Sequence, residues 1–597
     1  MKTTVATFVA DFLNAKGITH CFCVTGGGAM HLNAALGKAP HLTTVYNHHE
    51  QASAMAAEGY TRLSGKLAAV CVTSGPGGTN AITGVMGGFL DSIPMLILSG
   101  QVKCAHLAKN STVTGLRQLG DQEFDIIGTV GTMTKYAAVV ENPYDIAYHL
   151  EKAHHAALEG RGGPVWLDIP LDVQAASIQT EKLRHASVLT DDTPTVTRTT
   201  GQEILEKIHA ARAPLLLIGT GVRLSGAAAL LPQLLQKLRI PAVTAWNAGD
   251  ALPYDDPYFV GMPGTVGTRA GNFATQSCDL LLSLGCRLNI RMVGHNLHEF
   301  AQNAYRIVVD IDEKELKKHT VAADMPIHGD VRHLIRLLLS LDYTPAPTHA
   351  PWLAHCKRLL ARYPATREAI SHGDGINPYL FLDRLFDHLG ADDTVVCGNG
   401  SACVMTFQAA KIKQGQRLFT NSGCAAMGYG LPAAIGAAIA APERRTVLLD
   451  GDGSMMMNLQ ELATLAHHKL NIKILLLNNG GYHSIRQTQK AYFPPPVVGC
   501  DKSSGVSFPD FATLAAAFGL PFVRIQSAHE QEEKLAKLLQ ASGPMLCEVI
   551  VDRQQPFAPK TAAKALPDGT MVSAALDDMA PFLSDAEKEA ARYRVQQ

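Results

Sequence analysis

One acidic residue and one asparagine end two successive strand-like runs in the last third of the chain. Asp452 lies in a Gly-Asp-Gly loop after the apolar run Thr446–Leu449, and Asn479 follows Ile472–Leu477. Parallel strands bind ligands at their carboxyl ends, so these two side chains are expected to lie close together. A carboxylate, a carboxamide oxygen and a main-chain oxygen of the Gly480-Gly481 turn suit Mg²⁺, with water and diphosphate oxygens completing the shell. The spacing predicts a diphosphate site held through a metal ion, although a Gly-Asp-Gly loop alone is commonly a turn.

The elements that must position these residues are α/β units. Short apolar runs alternate with helical patterns along the chain, which predicts parallel sheets covered by helices. Two polar or proline-containing stretches, at 179–199 and 342–375, interrupt the alternation and are expected to be linkers. The predicted fold class is α/β, with three doubly wound parallel-sheet domains. Their expected bounds are 1–178, 195–345 and 375–555, followed by a C-terminal tail at 556–597.

Composition excludes several classes of protein. The 597 residues carry 52 basic and 53 acidic side chains, without the basic excess that phosphodiester binding requires. No apolar run approaches the ~18 residues of a membrane span. The twelve cysteines lie singly, without CxxC pairs, as expected for buried thiols in a reducing compartment. We expect a cytoplasmic protein that acts on small molecules, with neither nucleic acid nor membrane as partner.

The Gly-Asp-Gly loop, the strand–helix–strand pattern after it and the asparagine pair resemble the signature of the thiamine diphosphate enzymes. The resemblance covers essentially residues 1–555 and implies pyrimidine-binding, central and diphosphate-binding domains in that order. It implies thiamine diphosphate and Mg²⁺ as cofactors, with Asp452, Asn479 and the main-chain oxygen of Gly481 as metal ligands. Sites of this family lie across subunit interfaces, so the resemblance also implies at least a homodimer, with a homotetramer expected.

The same resemblance requires a glutamate from the first domain. The strand-like run Thr43–His49 leads directly into Glu50 and the helical pattern of Gln51–Ser64. A carboxyl group hydrogen-bonded to N1′ of the aminopyrimidine favours its 4′-imino tautomer, and that imine takes the proton from C2 of the thiazolium. Taken alone, a glutamate at this position is more often a helix N-terminal acid favoured by the helix dipole.

Other family-like loops follow other strands. Ser74–Asn80 matches the loop that lines the pyrimidine, Gly26–Gly28 lies where family members direct main-chain donors at the substrate oxygen, and Asn421–Ala434 matches the segment that bends the cofactor. Two of them have plainer alternatives: Ser74–Asn80 as a tight turn with a helix cap, and Met427 as core packing. The catalytic residues implied by the resemblance are Glu50, Gln122, Gly27 and Gly28. The implied cofactor-binding residues are Pro76, Asn80, Gly400, Ser401, Ala425, Met427, Gly451, Asp452, Gly453, Ser454, Asn479, Gly481 and Tyr482.

The middle domain adds a second expected cofactor. Gly261–Gly294 resembles the segment of acetolactate synthases that lies along FAD. Two glycines after a strand are compatible with any α/β turn, so the FAD expectation depends on the resemblance. The expected FAD contacts are Gly219, Gly221, Arg287, Arg291 and Asp310.

The closest resemblance is to the acetolactate-synthase-like group, with one departure. Thr488 stands where acetolactate synthases carry a tryptophan, which implies a wider and more polar acceptor pocket. Arg486 and His483 then serve a larger or phosphorylated acceptor, or are simply surface residues. The C-terminal tail either closes over the site or packs as an arm.

The function implied is decarboxylation of pyruvate, or a close 2-oxo acid, and transfer of the two-carbon unit to a carbonyl acceptor, a ketone or a nucleotide-linked keto-sugar. The product is a new C–C bond. Three alternatives remain open: an acetolactate synthase that condenses two 2-oxo acids, a simple 2-oxo acid decarboxylase or oxidase, and a non-catalytic protein that kept the fold.

Overall fold

The computed structural model describes residues 2–187, 190, 193–370, 372–373, 375–565 and 571–593. Parts of the two expected linkers (188–189, 191–192, 371 and 374) and of the tail (566–570 and 594–597) lie outside the described residues. Three parallel sheets follow one another along the described chain, which confirms the predicted fold class. Within these ranges, every helix is too short or too polar to cross a bilayer.

The first domain forms around a parallel sheet whose strands are largely buried. Its strands are β1 (Lys2–Thr4), β2 (His20–Cys23), β3 (Thr43–Tyr46), β4 (Ala68–Val72), β5 (Met95–Gln101), β6 (Tyr136–Val139), β7 (Pro164–Pro170) and β8 (Ser177–Gln179). Its helices are α1 (Val5–Ala15), α2 (Met30–Lys38), α3 (Glu50–Ser64), α4 (Pro76–Asp91), α5 (Ile126–Val130), α6 (Ile146–Leu158) and α7 (Leu171–Ala175). Six strands pair in the order β3-β2-β4-β5-β7-β6, and β1 pairs separately with β8.

The middle domain has a smaller parallel sheet of five strands. The elements are α8 (Arg198–Ala210), β9 (Pro214–Ile218), α9 (Gly221–Leu224), α10 (Leu231–Leu238), β10 (Ala242–Thr244), α11 (Arg269–Ser277), β11 (Leu280–Leu284), α12 (Ile290–Val293), β12 (Tyr305–Asp310), α13 (Glu313–Lys317), β13 (Met325–His328) and α14 (Val331–Ser340). The strand order is β10-β9-β11-β12-β13. Helix α15 (His349–Arg362) then leads towards the third domain.

The third domain repeats the architecture of the first. Its elements are α16 (Pro378–His388), β14 (Thr394–Cys397), α17 (Ser401–Ala409), β15 (Arg417–Phe419), α18 (Gly430–Ala440), β16 (Thr446–Gly451), α19 (Asp452–Met455), α20 (Glu461–His467), β17 (Ile472–Asn478), α21 (His483–Tyr492), α22 (Phe511–Ala517), β18 (Phe522–Ile525), α23 (Ala528–Gln540) and β19 (Met545–Ile550). The tail contributes the hairpin β20 (Ala563–Ala565) and β21 (Met571–Ser573), and α24 (Asp585–Ala591). The sheet order is β15-β14-β16-β17-β19-β18.

The first and third sheets share one strand order. When the six strands of each sheet are numbered in chain order, their spatial order is 2-1-3-4-6-5 in both sheets. In both sheets the order therefore reverses between the first strand and the third, at β2/β4 and at β14/β16. Open parallel sheets bind ligands in the crevice at this reversal. In both domains, the two loops that form this crevice therefore follow corresponding strands.

Helices α3 and α18 pack directly against each other and join the first domain to the third. A Cβ atom at Gly436 of α18 would overlap the carbonyl oxygen of Ala56 in α3, so the backbones meet without an intervening side chain. Glu58 of α3 is fully buried in this contact, and its two carboxylate oxygens accept hydrogen bonds from Asn421 at 3.1 and 3.0 Å. The start of α3 is therefore held in a defined position relative to the third domain.

The described part of the tail packs on the middle domain. The buried guanidinium of Arg269 donates to the carbonyl oxygens of Met579 at 3.1 Å and of Pro581 at 2.6 Å, and it pairs with Glu368. Ala591 in α24 lies in the middle-domain core. These contacts hold this part of the tail against the middle domain.

Candidate active site

Three loops meet at the carboxyl edge of the third sheet, after the neighbouring strands β14, β16 and β17. The side-chain amide of Asn479 donates to the hydroxyl of Ser401 at 3.1 Å. The main-chain N–H of Gly481 donates to Oδ2 of Asp452 at 2.8 Å. These bonds tie the loops together, so the structure brings Ser401, Asp452, Asn479 and Gly481 into one group, as the sequence predicts.

Asp452 is a buried carboxylate held by main-chain donors. Its side chain is almost inaccessible, and its Oδ1 accepts from the N–H of Gly453 at 2.9 Å. Burial raises the pKa of Asp452 to about 7, although the N–H groups of Gly481 and Gly453 act in the opposite direction. Because burial disfavours the ionised form of this carboxyl group, a cation placed beside it would stabilise that form strongly.

Asn479 presents an oxygen that none of the described residues satisfies. The residue is buried, and its Oδ1 has no hydrogen-bond partner among the described residues. Its carbonyl oxygen, in contrast, accepts from Arg486 at 3.0 Å and from Arg553 at 3.1 Å. A buried amide oxygen without a donor is costly, so a cation is the partner that its position favours.

The oxygen set fits a hard divalent ion. Nowhere in the described ranges do three or more His, Cys, Asp or Glu side chains gather to hold a metal. The candidate ligands are instead one carboxylate, one carboxamide oxygen and a nearby main-chain oxygen, the mixed set that Mg²⁺ accepts when water and phosphate complete its octahedron.

The remaining cofactor-binding candidates of this domain surround the same edge. Gly451 and Gly453 flank Asp452, and a Cβ atom at Gly453 would overlap the ring of Tyr482. The hydroxyl of Ser454 accepts from the N–H of Gly428 at 3.0 Å. Gly400 precedes α17 and has open space beside its Cα.

The segment between β15 and α18 carries Ala425 and Met427. Ala425 has a φ of 55°, an unusual conformation for a residue with a side chain. Its carbonyl oxygen accepts a hydrogen bond from the side-chain amide of Asn399. Met427 is half-buried, which leaves part of its side chain exposed at this edge.

In the first domain, Glu50 begins α3 after strand β3. Its Oε2 accepts from the side-chain amide of Asn80 at 2.9 Å, and the residue is 8% exposed. Asn80 lies in α4, whose first residue is Pro76. Glu50 and Asn80, which follow different strands, therefore meet at the Glu50 carboxylate.

The other catalytic candidates of the first domain lie in loops near Glu50. A Cβ atom at Gly75 would lie 2.5 Å from the carbonyl oxygen of Gln122, which has a φ of 60° and is exposed. The N–H of Gly28 donates to the hydroxyl of Thr73 at 3.0 Å, whereas Gly27 is exposed. In this chain the Gly28 amide therefore already has an acceptor.

Glu461 is a site-supporting residue that sequence reasoning missed. It is fully buried in α20, and it accepts from the side-chain amide of Asn47 at 3.0 Å and from the N–H of His48 at 2.9 Å. These contacts anchor the residues just before Glu50 to the third domain. Asn47 and Glu461 are 414 residues apart, so no local pattern could have found the pair.

The two halves of the predicted site lie in different domains of the chain. Among the described residues, no hydrogen bond joins Glu50 to Asp452, Asn479 or Gly481, although each is bonded to neighbours in its own domain. The residues around Glu50 and the group around Asp452 are thus each formed, and residues beside Glu50, such as Asn47 and His48, link them through Glu461.

The residues considered for the acceptor lie in and around α21. His483 and Arg486 are both buried, not surface residues. Nε2 of His483 contacts the carbonyl oxygen of Gln555 at 2.9 Å, and burial lowers the pKa of His483 to about 4. Arg486 supports the Asn479 carbonyl, whereas Thr488 is exposed and donates to the carbonyl oxygen of Ser484 at 3.0 Å. Of the three, Thr488 is the residue available to a ligand.

A cavity of about 370 Å³ lies where the middle domain meets the other two. All five residues expected to contact FAD line it: Gly219, Gly221, Arg287, Arg291 and Asp310. Its wall carries six arginines, Arg62, Arg161, Arg223, Arg287, Arg291 and Arg417, and three aspartates, Asp91, Asp310 and Asp330. Arg62, Arg161, Arg223 and Arg417 already pair with carboxylates at 3.1 Å or less. Arg291 and the loosely paired Arg287 are therefore the guanidinium groups that suit a ligand with phosphate groups.

Aromatic and acidic groups complete the wall of this cavity. The guanidinium of Arg291 lies 5.0 Å from the ring centre of Trp246, and that ring stacks on Phe407 with centres 5.1 Å apart. Asp310 ends strand β12, and burial raises the pKa of its carboxyl group. The cavity wall therefore combines an aromatic ring with cationic and hydrogen-bonding groups.

Comparison with known proteins matches each domain to one family. The model of the thiamine pyrophosphate enzyme N-terminal TPP binding domain matches residues 3–126, that of the central domain residues 202–338, and that of the C-terminal TPP binding domain residues 398–549.

Full-length relatives give the same result. The acetolactate synthase isozyme 2 large subunit of Escherichia coli is 33% identical over 565 residues, 94% of this chain and 98% of that protein. The acetolactate synthase large subunit of Lactococcus lactis is 30% identical, over 94% of this chain and 95% of its own length. A probable acetolactate synthase large subunit of Methanocaldococcus jannaschii is 32% identical over 90% of each chain. Three domains of matching order, one edge of hard oxygen ligands and these relatives together show that the chain belongs to the thiamine pyrophosphate enzyme family.

Proposed function

We propose that the protein is a thiamine diphosphate-dependent carboligase. It removes CO₂ from pyruvate, or a close 2-oxo acid, and joins the remaining two-carbon unit to a carbonyl acceptor. The observation that carries the proposal is the linked group of Asp452, Asn479 and Gly481, with its buried and unpaired carboxamide oxygen. The names of the full-length relatives, which are acetolactate synthases, support the same reaction class.

In this proposal the third domain binds the metal and the diphosphate. Asp452, Asn479 and the main-chain oxygen of Gly481 hold Mg²⁺, and the loops around them receive the phosphate oxygens. The diphosphate contacts come from Gly400, Ser401, Gly451, Gly453, Ser454 and Tyr482. Ala425 and Met427 face the ring system from the neighbouring segment. When bound, thiamine diphosphate supplies the carbon nucleophile and the electron sink for decarboxylation.

Glu50 handles the proton in the first domain. Asn80 donates to one of its carboxylate oxygens and so fixes the direction of the other. The low exposure of Glu50 excludes most water, which strengthens a hydrogen bond to a ligand nitrogen. Pro76 begins the helix that carries Asn80. Gln122, Gly27 and Gly28 face the substrate side.

A second copy of the chain completes the site. The resemblance to the family implies that Glu50 and the metal-side residues of one site come from different copies. Apolar side chains in the loop before Gln122 support an interface there: Val113 is 57%, Leu116 38% and Leu119 50% exposed. Exposed apolar side chains in one loop are typical of a surface that another chain covers. A homodimer is the smallest such assembly, and a homotetramer pairs two of them.

Two acceptors are compatible with the proposal. Exposed Thr488, small and polar, favours a ketone or a nucleotide-linked keto-sugar because it leaves space beside α21. The names of the relatives favour a second 2-oxo acid, as in acetolactate synthesis.

Product identification tests the reaction. The purified protein with Mg²⁺ and thiamine diphosphate is given isotopically labelled pyruvate, alone and with a panel of ketones, and products are identified by mass spectrometry. We expect a product that contains the acceptor plus the labelled two-carbon unit. A labelled acetohydroxy acid from pyruvate alone would assign the acceptor as a 2-oxo acid. Acetaldehyde or acetate as the sole product, with every acceptor, would contradict carboligation.

We also propose that the cavity between the domains binds FAD. The five residues expected from the sequence share its wall, and the guanidinium groups of Arg287 and Arg291 suit a diphosphate. The buried carboxyl group of Asp310, at a strand end, suits a ribose hydroxyl.

FAD titration tests this second cofactor. Trp246 lines the cavity, so FAD is expected to quench tryptophan fluorescence, and Trp246→Phe should remove most of that response. Arg291→Ala is expected to weaken FAD binding about tenfold, because one charge-assisted contact and one ring contact are lost. Arg184→Ala is the matched control, since Arg184 pairs with Asp145 away from the cavity wall. Unchanged fluorescence and no retained yellow flavin after desalting would contradict the assignment.

A further inference from the structure

Asp91, the last residue of α4, holds the main chain of a distant segment. Its side chain is 5% exposed. Oδ2 accepts from the N–H of Ser422 at 3.0 Å, and Oδ1 accepts from the N–H of Gly423 at 2.9 Å. A Cβ atom at Gly423 would lie 2.6 Å from Oδ1, so the carboxylate lies directly against the backbone. A buried carboxylate that accepts two main-chain N–H groups fixes their positions strongly.

The segment that Asp91 holds leads directly to Ala425 and Met427. Asn421, the residue before it, uses its Oδ1 to accept from the N–H groups of Cys424 at 3.1 Å and Ala425 at 3.2 Å. The positive φ of Ala425 is therefore imposed by side chains that brace the main chain from both sides. Any movement of Asp91 would be transmitted over three or four residues to the candidate cofactor contacts.

The same carboxylate faces the cavity between the domains. Arg62 pairs with Oδ2 at 2.6 Å, and the side-chain amide of Asn247 donates to it at 3.2 Å. Arg287 lies 3.8 Å from Oδ1. These three residues, Asp91 itself and Ser422 all line the cavity. One carboxylate thus contacts both the cavity wall and the segment 421–427.

We propose that Asp91 is a positioning residue that couples ligand binding in the cavity to the conformation of residues 421–427, and through them to thiamine diphosphate affinity. An anionic ligand in the cavity attracts the guanidinium groups of Arg62 and Arg287, which are partners of the Asp91 carboxylate. Coupling between two sites is reciprocal, so each ligand changes the affinity of the other by one factor. The identity of the two ligands depends on the function proposed above.

Amide hydrogen exchange tests the positioning role on the full chain without ligands. In the unmodified protein, the N–H groups of Ser422 and Gly423 are expected to exchange slowly. Asp91→Asn keeps the size but turns an amide towards donors, so exchange in the peptide that contains residues 422–423 should accelerate at least about tenfold. A melting curve establishes that the variant is folded. Equal protection of these amides in both proteins would overturn the proposal.

Binding of each ligand with and without the other tests the coupling. We expect FAD to change the thiamine diphosphate Kd, measured by calorimetry with Mg²⁺, by about fivefold or more. In Asp91→Asn both ligands should still bind, but the ratio of the thiamine diphosphate Kd without FAD to that with FAD should approach one. Asn247→Ala removes one of the two middle-domain partners of Asp91, together with the bonds from Asn247 to Thr420 and Ser422. It should lower the ratio while the Asp91–main-chain bonds persist.

A matched control separates this role from a change of charge at the cavity. Asp312→Asn removes a carboxylate that pairs with the cavity arginine Arg161 at 3.1 Å, yet the bonds that hold 421–427 involve other residues. Its Kd ratio and amide exchange should match the unmodified protein. A ratio near one in the unmodified protein, or a normal ratio in Asp91→Asn, would overturn the coupling. Failure of the unmodified protein to bind either ligand would instead count against the proposed function, while the exchange comparison still decides whether Asp91 holds the segment.

Discussion

Glu50→Gln is expected to lower kcat by a hundredfold or more while thiamine diphosphate still binds. Glutamine keeps the length of the side chain and can still contact Asn80, but it cannot share a proton with a ring nitrogen. General acid–base groups typically contribute about 10²- to 10⁴-fold to rate. Turnover with pyruvate and cofactor Kd by calorimetry, measured on the same preparation, separate loss of chemistry from loss of binding.

The control for this variant is Glu159→Gln, which makes the same chemical change at a partly exposed residue that pairs with His155 at 3.1 Å. Its turnover should equal that of the unmodified protein. If Glu50→Gln also turned over at a near-normal rate, Glu50 would not be the proton-handling group, and the assignment of the pyrimidine side would fail.

Asp452→Asn should weaken thiamine diphosphate binding in Mg²⁺ by at least about a hundredfold. The substitution removes the one charged oxygen ligand and directs amide hydrogens towards the N–H groups of Gly453 and Gly481, which Asp452 now accepts. Loss of a charge-assisted contact together with an unpaired buried donor is worth roughly 2–4 kcal/mol. Calorimetry over a series of Mg²⁺ concentrations measures both the loss of affinity and the loss of metal dependence.

Asp383→Asn provides the comparison for Asp452→Asn. Asp383 lies on α16 of the same domain and pairs with Lys411 at 2.7 Å near the surface, so its replacement should leave the cofactor Kd unchanged. Undiminished and still Mg²⁺-dependent affinity in Asp452→Asn would remove Asp452 from the metal site.

The sequence predicts those parts of the site whose residues lie at strand ends. Asp452 and Asn479 follow adjacent strands, and since parallel strands end at one edge, their proximity follows from local patterns alone. Gly219 and Asp310, which share one cavity wall, also lie at strand ends, but the family resemblance selected them. A resemblance to a known family supplied Glu50, because nothing in its own neighbourhood distinguishes it from an ordinary helix N-terminal acid.

Contacts between domains could not be predicted in this way. Glu461 and Asp91 are ordinary helical acids in the sequence, and only tertiary packing shows that they hold main-chain N–H groups of other domains. Arg486 and His483 show the same limit: the alternative that they are surface residues is wrong, because packing buries both within the domain. Burial of a polar side chain depends on partners that are remote in sequence, and periodicity does not report them.

The unpaired Oδ1 of Asn479 also has a consequence for the energy landscape of folding. Leaving a buried polar atom unsatisfied typically costs about 1–3 kcal/mol, so this edge of the third sheet is locally frustrated in the ion-free chain. An apolar residue of similar volume would relieve that frustration and make the fold more stable, at the expense of the ligand. The position therefore represents a trade-off between stability and activity, in which native-state stability is given up locally so that a bound cation can restore it.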